Sequence, residues 1–384
     1  MRLLYFDHAA TTPVDPAVLA AMRPYLREEF GNPSARYPLG VRAEDALDRA
    51  RARVARVVGA RAEDVTFTSG GTEANNLAVL GAARAAGAGR VLVGATEHPS
   101  VREPALALAR EGFEVHEVPL AAGGAFDPGA FERLLDADTV LVAQMLANNE
   151  VGTLYPVREL ARRVRRLAPR AHVHVDAVQA LGKVELSLGE LGADSSSLSA
   201  HKVGGPKGAG ALVTRAGVEL VPLFFGGGQE AGRRSGTENV AGIVGLGEAA
   251  RLAEERLPAC RSTLAALHAA FLAGVAAIDG VAPLQAGGPG APTVHSISSL
   301  CVEGAPAEVW LHHLEARGVC ASAGSACRSR KGEVSPAFAA LGLTADEARR
   351  VLRFSFGCTT TAEELALALE ALASVAAELS GVRS

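Results

Sequence analysis

Residues 172–176 (HVHVD) and 197–202 (SLSAHK) decide the expected fold. The first stretch has the pattern of a strand that ends at Asp176, and the second contains the end of a strand, residues 194–199, followed by Lys202. On a strand, side chains alternate between faces, so His172, His174 and Asp176 share one face. The separation between the aspartate and the lysine that closes the second stretch suits two successive strands of one sheet.

Outward from these stretches, short apolar runs alternate with helical patterns over the first two-thirds of the chain. Residues 157–167 show one such helix, with apolar residues at helical spacing and arginines on the opposite face. This alternation predicts an α/β fold with a mostly parallel, seven-stranded sheet flanked by helices. The predicted strands are residues 65–68, 90–94, 113–118, 139–144, 171–176, 194–199 and 209–214.

The ends of two further helices bear on the domain organisation. Asp15 followed by proline predicts a helix over residues 16–26, and a long helix follows Thr237 and is predicted to end at Pro258. We place the domain boundary there. A large domain over residues 15–257 and a smaller α+β domain from residues 1–14 and 258–384 are expected.

The composition excludes several classes of function. Lys and Arg total 38 against 42 Asp and Glu, for a net charge of −4, and aromatic residues make up 4%. This balance argues against a protein that mainly grips nucleic-acid phosphates or an anionic membrane. No stretch approaches the roughly 20 apolar residues of a membrane span.

All five cysteines lie in the last third of the chain: Cys260, Cys301, Cys320, Cys327 and Cys358. Their odd number and the lack of a CxxC pair argue against a secreted disulfide framework. The first eight residues contain no apolar signal-peptide block. We therefore expect a cytoplasmic protein.

Residues 67–76 (FTSGGTEANN) run from a strand through two glycines into a helix. The free N–H groups and the dipole of a helix N-terminus suit a phosphate, and Thr72 adds a hydroxyl donor. The Gly-Lys-Ser/Thr ending of a P-loop is missing. Taken alone, the pattern fits an ordinary capped helix start equally well.

The row His172, His174 and Asp176 allows two interpretations. It could supply metal ligands, as in metal-dependent hydrolases. Alternatively, the strand is buried and its final Asp176 faces a ligand crevice at the edge of the sheet. Further ligands at useful spacing are not evident, so we favour the second interpretation and expect no metal.

Lys202 follows a strand and precedes a glycine-rich loop. A partly desolvated lysine can form a Schiff base with a carbonyl cofactor. A phosphate cradle, a strand-end aspartate and such a lysine together indicate pyridoxal 5'-phosphate (PLP), in which the aspartate holds the pyridine nitrogen protonated.

The whole sequence resembles the NifS/IscS-type cysteine desulfurases, within the class V (fold type I) PLP-dependent transferases. The resemblance runs nearly end to end and rests on many short motifs in the same order. These are residues 5–12 (YFDHAATT), 31–34 (GNPS), 68–73 (TSGGTE), 97–98 (EH), 148–152 (NNEVG), 176–179 (DAVQ), 199–202 (SAHK), 234–239 (RSGTEN), 322–327 (SAGSAC) and 353–355 (RFS).

This resemblance implies roles for individual residues. Lys202 would form the Schiff base, Asp176 would pair with the pyridine nitrogen and Gln179 would reach the phenolic oxygen. His98 would stack over the ring and assist proton transfers. The phosphate would be held by Gly71, Thr72, Ser199 and His201, joined by Thr237 from the partner subunit of a homodimer. Asn149 and Arg353 would bind the substrate carboxylate, with Asn149 also contacting the cofactor.

By the same resemblance, Cys327 would take sulfur from L-cysteine as a persulfide and alanine would leave. Only a thiolate attacks, and the cations Arg328, Arg330 and Lys331 favour that form. Small residues before Cys327 suit a loop that swings between cofactor and acceptor. The other four cysteines are expected to be packing residues.

The implied partners are L-cysteine and, transiently, a sulfur-acceptor protein, either an iron–sulfur scaffold or a sulfur carrier. The sulfur would serve iron–sulfur cluster assembly or other thio-cofactor or tRNA thiolation pathways. The chain lacks the longer C-terminal extension of the IscS branch, which puts scaffold docking through that tail in doubt. Alternatives are a selenocysteine lyase, a cysteine sulfinate desulfinase or a class V aminotransferase. A metal-dependent hydrolase and a non-catalytic sulfur-acceptor scaffold are the alternatives from other classes.

Overall fold

The structure is a computed structural model that describes residues 2–287, 290–324 and 334–380. Cys327 and the cations that follow it lie outside these described residues. The strands are β1 (Leu4–Tyr5), β2 (Val65–Thr68), β3 (Arg90–Gly94), β4 (Glu114–Val118), β5 (Thr139–Ala143), β6 (His172–Asp176), β7 (Ser195–Ser199), β8 (Gly210–Thr214), β9 (Val281–Leu284), β10 (Ile297–Val302), β11 (Val319–Cys320), β12 (Ser322–Ala323) and β13 (Val351–Ser355). The helices are α1 (Pro16–Met22), α2 (Pro38–Val57), α3 (Gly71–Ala86), α4 (Pro99–Arg110), α5 (Pro128–Leu134), α6 (Val157–Leu167), α7 (Leu188–Leu191), α8 (Val240–Val275), α9 (Ala307–Glu315), α10 (Pro336–Ala340), α11 (Ala345–Ala348) and α12 (Ala362–Ser380).

The larger sheet has seven strands in the order β2-β8-β7-β6-β5-β3-β4. The pairs from β4 to β7 are parallel, and β8 runs antiparallel to both β7 and β2. All seven predicted strands are present, with bounds that agree to within one residue. The predicted fold class is confirmed.

Helices cover both faces of this sheet. On β3, Leu92 packs into the cluster that contains α2, α6 and the first half of α8, whereas Val91 and Val93 pack with α3 and α4. Such burial on both faces explains why β3 (RVLVG) and β5 (TVLVA) are almost continuously apolar.

The predicted helix over residues 16–26 is present in two pieces. Asp15 caps α1 by accepting a hydrogen bond from the Ala17 amide at 2.8 Å, as predicted. The α-helix ends at Met22 and a 3-10 turn continues over Arg23–Leu26. Pro24 accounts for the change, since it has no N–H to continue the α-helical ladder.

The prediction that the long helix ends at Pro258 is wrong, because α8 continues to Val275. Proline removes one backbone hydrogen bond from a helix interior. The helix nevertheless continues because both of its halves are anchored by burial. Ile243 and Leu246 pack on the larger sheet, whereas Leu264 and Phe271 pack on a second core.

That second core surrounds a four-stranded antiparallel sheet in the order β12-β13-β10-β9. Its members include Leu4 and Phe6 near the N-terminus and residues of α9 and α12. A separate parallel pair, β1 with β11, attaches the N-terminal strand beside this core.

Two cysteines depart from the expectation that they only pack. Cys260 of α8 and Cys358, which follows β13, form a disulfide with their Cα atoms 5.0 Å apart. They are separated by 98 residues in sequence, so no spacing pattern could reveal the pair. Among the described cysteines, Cys301 and Cys320 are free thiols.

None of the helices in the described ranges contains a stretch that could span a lipid bilayer.

Candidate active site

A cavity of about 270 Å³ lies where β3, β5, β6 and β7 end. The carboxyl ends of parallel strands are where open α/β sheets bind ligands. Among the predicted site residues, the cavity is lined by Gly71, Thr72, His98, Asn149, Asp176, Gln179, Ser199, His201 and Lys202. The described structure thus brings nine of the twelve predicted residues to one place.

The N-terminus of α3 forms one wall. Gly71 is the first residue of this helix and Thr72 the second, and the first N–H groups of a helix lack intrahelical partners. A Cβ at Gly71 would lie 2.7 Å from Val178 Cγ2 and 3.5 Å from Ser199 Cβ. The absence of a side chain at Gly71 therefore leaves the helix end open to a ligand as small as a phosphate group.

Asp176 is the last residue of β6 and is 6% exposed. Its Oδ1 accepts a hydrogen bond from the Val178 amide at 2.9 Å, and its Oδ2 accepts one from Asn75 Nδ2 at 2.8 Å. These donors hold the carboxylate in a single orientation at the cavity wall.

Lys202 closes the 3-10 turn that follows β7. Its Nζ donates to the carbonyls of Ala9 and Ala10, at 2.5 and 2.8 Å. The lysine is thereby tied to the N-terminal segment, which reaches the cavity from the second core.

Gln179 and Lys183 form a second link to that segment. Gln179 Nε2 donates to the Ala9 carbonyl at 2.9 Å, and Lys183 Nζ donates to Gln179 Oε1 at 3.0 Å. Burial lowers the pKa of Lys183 to about 7, and the nearby charges of Lys202 and Arg353 act in the same direction. The orientation of the Gln179 amide is set by these two contacts.

His98 is the N-cap of α4, immediately after the strand-to-helix turn that follows β3. Its Nδ1 accepts from the Ser100 amide at 3.1 Å and lies 2.7 Å from Ser100 Oγ. Although the side chain is exposed to the cavity, desolvation by the surrounding protein lowers its pKa. Lys202 adds to this effect and Asp176 opposes it.

Glu97 lies directly behind His98 and is 2% exposed. Its Oε1 accepts a hydrogen bond from the Met145 amide, whereas Oε2 is buried and has no hydrogen-bond partner among the described residues. Burial raises the pKa of Glu97 well above its ordinary value, and the charge of Asp176 raises it further. Burial thus favours the neutral form of this carboxyl group.

His201 lines the cavity beside Lys202. Its Nδ1 lies 3.2 Å from Thr11 Oγ1. Burial lowers its pKa to about 4, and the charges of Lys202, Lys207 and Lys183 contribute. At neutral pH the ring is therefore uncharged.

Arg353 does not line the cavity, although Asn149, to which it is hydrogen-bonded, does. The guanidinium donates to the Asn149 carbonyl at 2.8 Å and pairs with Asp7 Oδ1 at 2.7 Å. Asn149 itself lines the cavity. The described structure thus places Arg353 behind Asn149.

Of the last two predicted residues, only Thr237 lies within the described ranges. Thr237 is exposed in the loop before α8. Cys327 lies outside the described residues.

The alternative of a metal site at His172 and His174 gains no support. Both rings bond the hydroxyl of Ser195, His172 through Nε2 at 2.7 Å and His174 through Nδ1 at 2.8 Å. Within the described ranges, no group of three or more His, Cys, Asp or Glu side chains could hold a metal ion.

Comparison with protein families decides the affiliation of the chain. Residues 4–367 match the family model described as Aminotransferase class-V. The chain belongs to the class-V aminotransferase family.

Several members of the class-V aminotransferase family are similar over nearly their whole length. A "Cysteine desulfurase IscS" from Dictyoglomus turgidum is 39% identical over 376 residues, covering 97% of this chain and 94% of the relative. A solved structure of a "NifS-like protein" superposes with a TM-score of 0.91 at 33% identity, over 98% of this chain and 100% of the other. A structure described as "SspA in complex with cysteine" has a TM-score of 0.79 at 31% identity, over 93% of this chain and 99% of the other.

In this class-V family member, five further residues line the cavity that sequence reasoning did not select: Asn75, Ser100, Met145, Ala147 and Val178. A signal existed for two of them. Asn75 lies three positions after Thr72 and therefore on the same face of α3, and Ser100 is placed to bond the N-cap His98. No local pattern indicates the other three.

Proposed function

We propose that this protein is a PLP-dependent cysteine desulfurase, which converts L-cysteine to L-alanine and transfers the sulfur to Cys327. The observation that carries the proposal is the meeting of Lys202, Asp176 and the start of α3 in one cavity. The names of the similar proteins support the choice of reaction within the family.

The residues of the cavity fit PLP. Gly71, Thr72, Ser199 and His201 would hold the phosphate, and the open helix end that a Cβ at Gly71 would fill supports this assignment. Asp176 would pair with the pyridine nitrogen, Gln179 with the phenolic oxygen, and Lys202 would bind the aldehyde. When bound, the cofactor supplies an electron sink for the pair released at the substrate α-carbon.

Arg353 and Asn149 would orient the substrate carboxylate, and Asn149 would also touch the cofactor. Arg353 is 6% exposed and already fixed by Asp7 and the Asn149 carbonyl. Because Arg353 lies behind Asn149, the substrate carboxylate would have to reach past Asn149 to the guanidinium. That guanidinium is held in advance and so loses little freedom on binding. His98 would stack over the cofactor ring and assist proton transfer.

In the sulfur-transfer step, the Cys327 thiolate would form a bond to the substrate sulfur. The carbon–sulfur bond breaks with its electron pair left on carbon, and protonation of that carbon yields alanine. The persulfide on Cys327 would then pass its terminal sulfur to an acceptor protein of iron–sulfur cluster assembly or of another thiolation pathway.

A homodimer in the cytoplasm is the proposed working form, with Thr237 reaching the phosphate of the partner subunit. Phe225 and Phe30 are 81% and 70% exposed, which is the kind of apolar surface that an interface covers. We also propose two domains, residues 15–257 and residues 1–14 with 258–384. The change of core along α8 between Leu252 and Cys260 supports that boundary.

Mass spectrometry after incubation of the PLP-loaded enzyme with L-cysteine tests the function. One added sulfur on Cys327, with release of alanine, is expected. Cys327→Ala should abolish alanine formation, whereas Cys301→Ala, a free thiol away from the cavity, is the matched control and should retain it. Transamination products, or alanine formation by Cys327→Ala at the wild-type rate, would overturn the proposal.

A further inference from the structure

A continuous chain of side-chain hydrogen bonds joins His98 to Asp176. His98 Nδ1 lies 2.7 Å from Ser100 Oγ, and Asn75 Nδ2 donates to Ser100 Oγ at 2.8 Å. The same Asn75 nitrogen donates to Asp176 Oδ2 at 2.8 Å. Two proposed cofactor contacts are thus connected through two residues that have no proposed role.

The connecting residues are removed from bulk water. Asn75 is 1% exposed and Ser100 is 7% exposed. Buried polar groups must satisfy their hydrogen bonds within the protein, because an unpaired one costs much of its hydration free energy. The donor and acceptor roles along the chain can therefore be assigned one by one.

The orientation of the Asn75 amide follows from its neighbours. An ionised carboxylate can only accept, so the Asn75 nitrogen must face Asp176. Its two N–H groups are then used by Asp176 and Ser100. The Asn75 oxygen points the other way and accepts from His174 Nε2 at 2.9 Å.

The next links hold this orientation in place. Burial lowers the pKa of His174 to about 3, so the ring is neutral. With its proton on Nε2, His174 accepts at Nδ1 from the Ser195 hydroxyl at 2.8 Å. The hydroxyl has then used its only proton, so His172 Nε2 must donate to it, at 2.7 Å.

At the other end, the backbone N–H of Ser100 decides where His98 carries its proton. The backbone N–H of Ser100 points at His98 Nδ1, and two hydrogens cannot occupy the same contact. The Ser100 hydroxyl accepts from Asn75 and is free to donate its own proton to Nδ1 as well. In the neutral ring the proton is therefore on Nε2.

We propose that Asn75 and Ser100 are positioning residues, which hold His98 as the Nε2–H tautomer and link its orientation to that of Asp176. The assignment of the tautomer does not depend on the proposed reaction. Its consequence for catalysis rests on the proposed function.

The consequence for catalysis concerns the substrate group that contacts His98. In the resting protein, Nε2 presents a hydrogen-bond donor, so its partner must be an acceptor such as an anionic oxygen or a thiolate sulfur. Nδ1 cannot take up a proton without the loss of a contact to Ser100. The charged groups that act on the ring are Asp176 and Lys202.

The test is nitrogen-15 NMR of the full-length protein with labelled histidine, recorded with and without PLP. Loss of the His98 signals in His98→Gln assigns them. The expected wild-type result is a protonated Nε2 and an unprotonated Nδ1. A protonated Nδ1, or an even mixture of tautomers, would overturn the assignment.

Two variants test the role of the chain. Ser100→Ala keeps the backbone contact but loses the hydroxyl donor, so we expect protonation of His98 to become roughly five-fold easier, as for the loss of one neutral hydrogen bond. Asn75→Ala should give a similar shift and should weaken PLP binding by roughly tenfold, because Asp176 loses a donor.

Asn76→Ala is the matched control. Asn76 is the neighbouring residue of α3 and donates to backbone carbonyls of Thr72 and Ser100, but it touches neither Asp176 nor the Ser100 hydroxyl. It should leave the His98 signals and PLP affinity unchanged. Equal effects from Asn76→Ala would show a merely structural role.

The double variant Asn75→Ala/Ser100→Ala tests the connection itself. Links of one chain act as a unit, so the double variant should shift the His98 protonation equilibrium little more than the larger single variant. Additive effects would refute the link.

Because the His98 signals are read without turnover, failure of this proposal is distinguishable from failure of the proposed reaction. Ser100→Ala, which removes a single atom, keeps the test available if Asn75→Ala does not fold.

Discussion

Arg353 Nη2 donates to Asp7 Oδ1 at 2.7 Å, and this ion pair joins two segments 346 residues apart in sequence. The Arg353 side chain is 7% exposed and that of Asp7 is 20% exposed. The pair holds the strand that carries Arg353 against the N-terminal segment whose carbonyls bind Lys202. Both proposed ligand contacts therefore depend on the placement of residues 7–10.

We predict that Asp7→Asn lowers the free energy of unfolding by about 2 kcal/mol, because a charge-assisted hydrogen bond to a buried guanidinium is weakened. The KM for L-cysteine should rise by roughly tenfold as Arg353 loses its orientation. Urea denaturation and steady-state kinetics measure the two effects. Glu363→Gln, which weakens the exposed pair with Arg2, is the control and should change neither. An unaltered KM in Asp7→Asn would contradict the orienting role.

The disulfide between Cys260 and Cys358 should contribute to stability in the oxidised protein. It closes a loop with a sequence separation of 98 residues, and removal of such a bond typically costs about 2–5 kcal/mol. We expect Cys260→Ser to lower the unfolding free energy by that amount under oxidising conditions. A non-reducing peptide map should show the linked peptides in the wild-type protein.

Cys301→Ser serves as the comparison for this disulfide, since Cys301 is a free thiol. With reductant, the unfolding free energy of Cys301→Ser should equal that of the wild-type protein with reductant. Without reductant, the two values should again be equal. If reductant destabilises Cys260→Ser as much as it does the wild-type protein, the linkage is refuted.

Glu97 should keep its proton to a higher pH than an ordinary glutamate does, because its pKa is raised. Because its pKa is raised in the folded state, the unfolded chain releases this proton at lower pH than the folded protein does. The wild-type protein therefore loses stability as the pH rises from about 4.5 towards the folded pKa. Glu97→Gln retains the carbonyl that accepts from Met145 and should remove that part of the pH dependence.

Urea denaturation of the apo protein between pH 5 and pH 8 compares the two proteins. Glu103→Gln, a change on the exposed surface of α4, provides the control with one carboxylate fewer. A wild-type slope equal to that of Glu97→Gln would mean that Glu97 is ionised in the folded protein.

Lys183 should contribute a pH dependence of stability with the opposite sign to that of Glu97. Its pKa falls from 10.5 to about 7 on folding, so between these values the unfolded chain binds the proton that the folded protein has released. The destabilising contribution is complete below about pH 7 and diminishes as the pH rises towards 10.5. Lys183→Met should therefore be more stable than the wild-type protein at pH 7, with a smaller difference at pH 9.5.

Lys207→Met is the control for this prediction, because Lys207 is exposed. Its unfolding free energy should differ from that of the wild-type protein by the same amount at both pH values. A constant difference for Lys183→Met would contradict the lowered pKa.

The sequence alone predicted the larger sheet almost residue by residue, because short apolar or β-branched runs between helical patterns mark strands such as β3 and β5 locally. It also placed Lys202 and Asp176 at strand ends, where residues distant in sequence meet. The end of α8 was mispredicted because the packing of both halves outweighed the local effect of Pro258. The disulfide was missed because it depends on two elements that only folding brings together.

What the sequence determined is what short-range rules control: the strands and helices, the open glycine turn before α3, and the chemical identity of the groups at the strand ends. Tertiary structure alone decided which of those groups share hydrogen bonds. The link from His98 through Ser100 and Asn75 to Asp176 crosses two helices and a strand. Its distances and donor roles follow from burial and from the packing of α3 and α4 on the sheet, which no local pattern in the chain encodes.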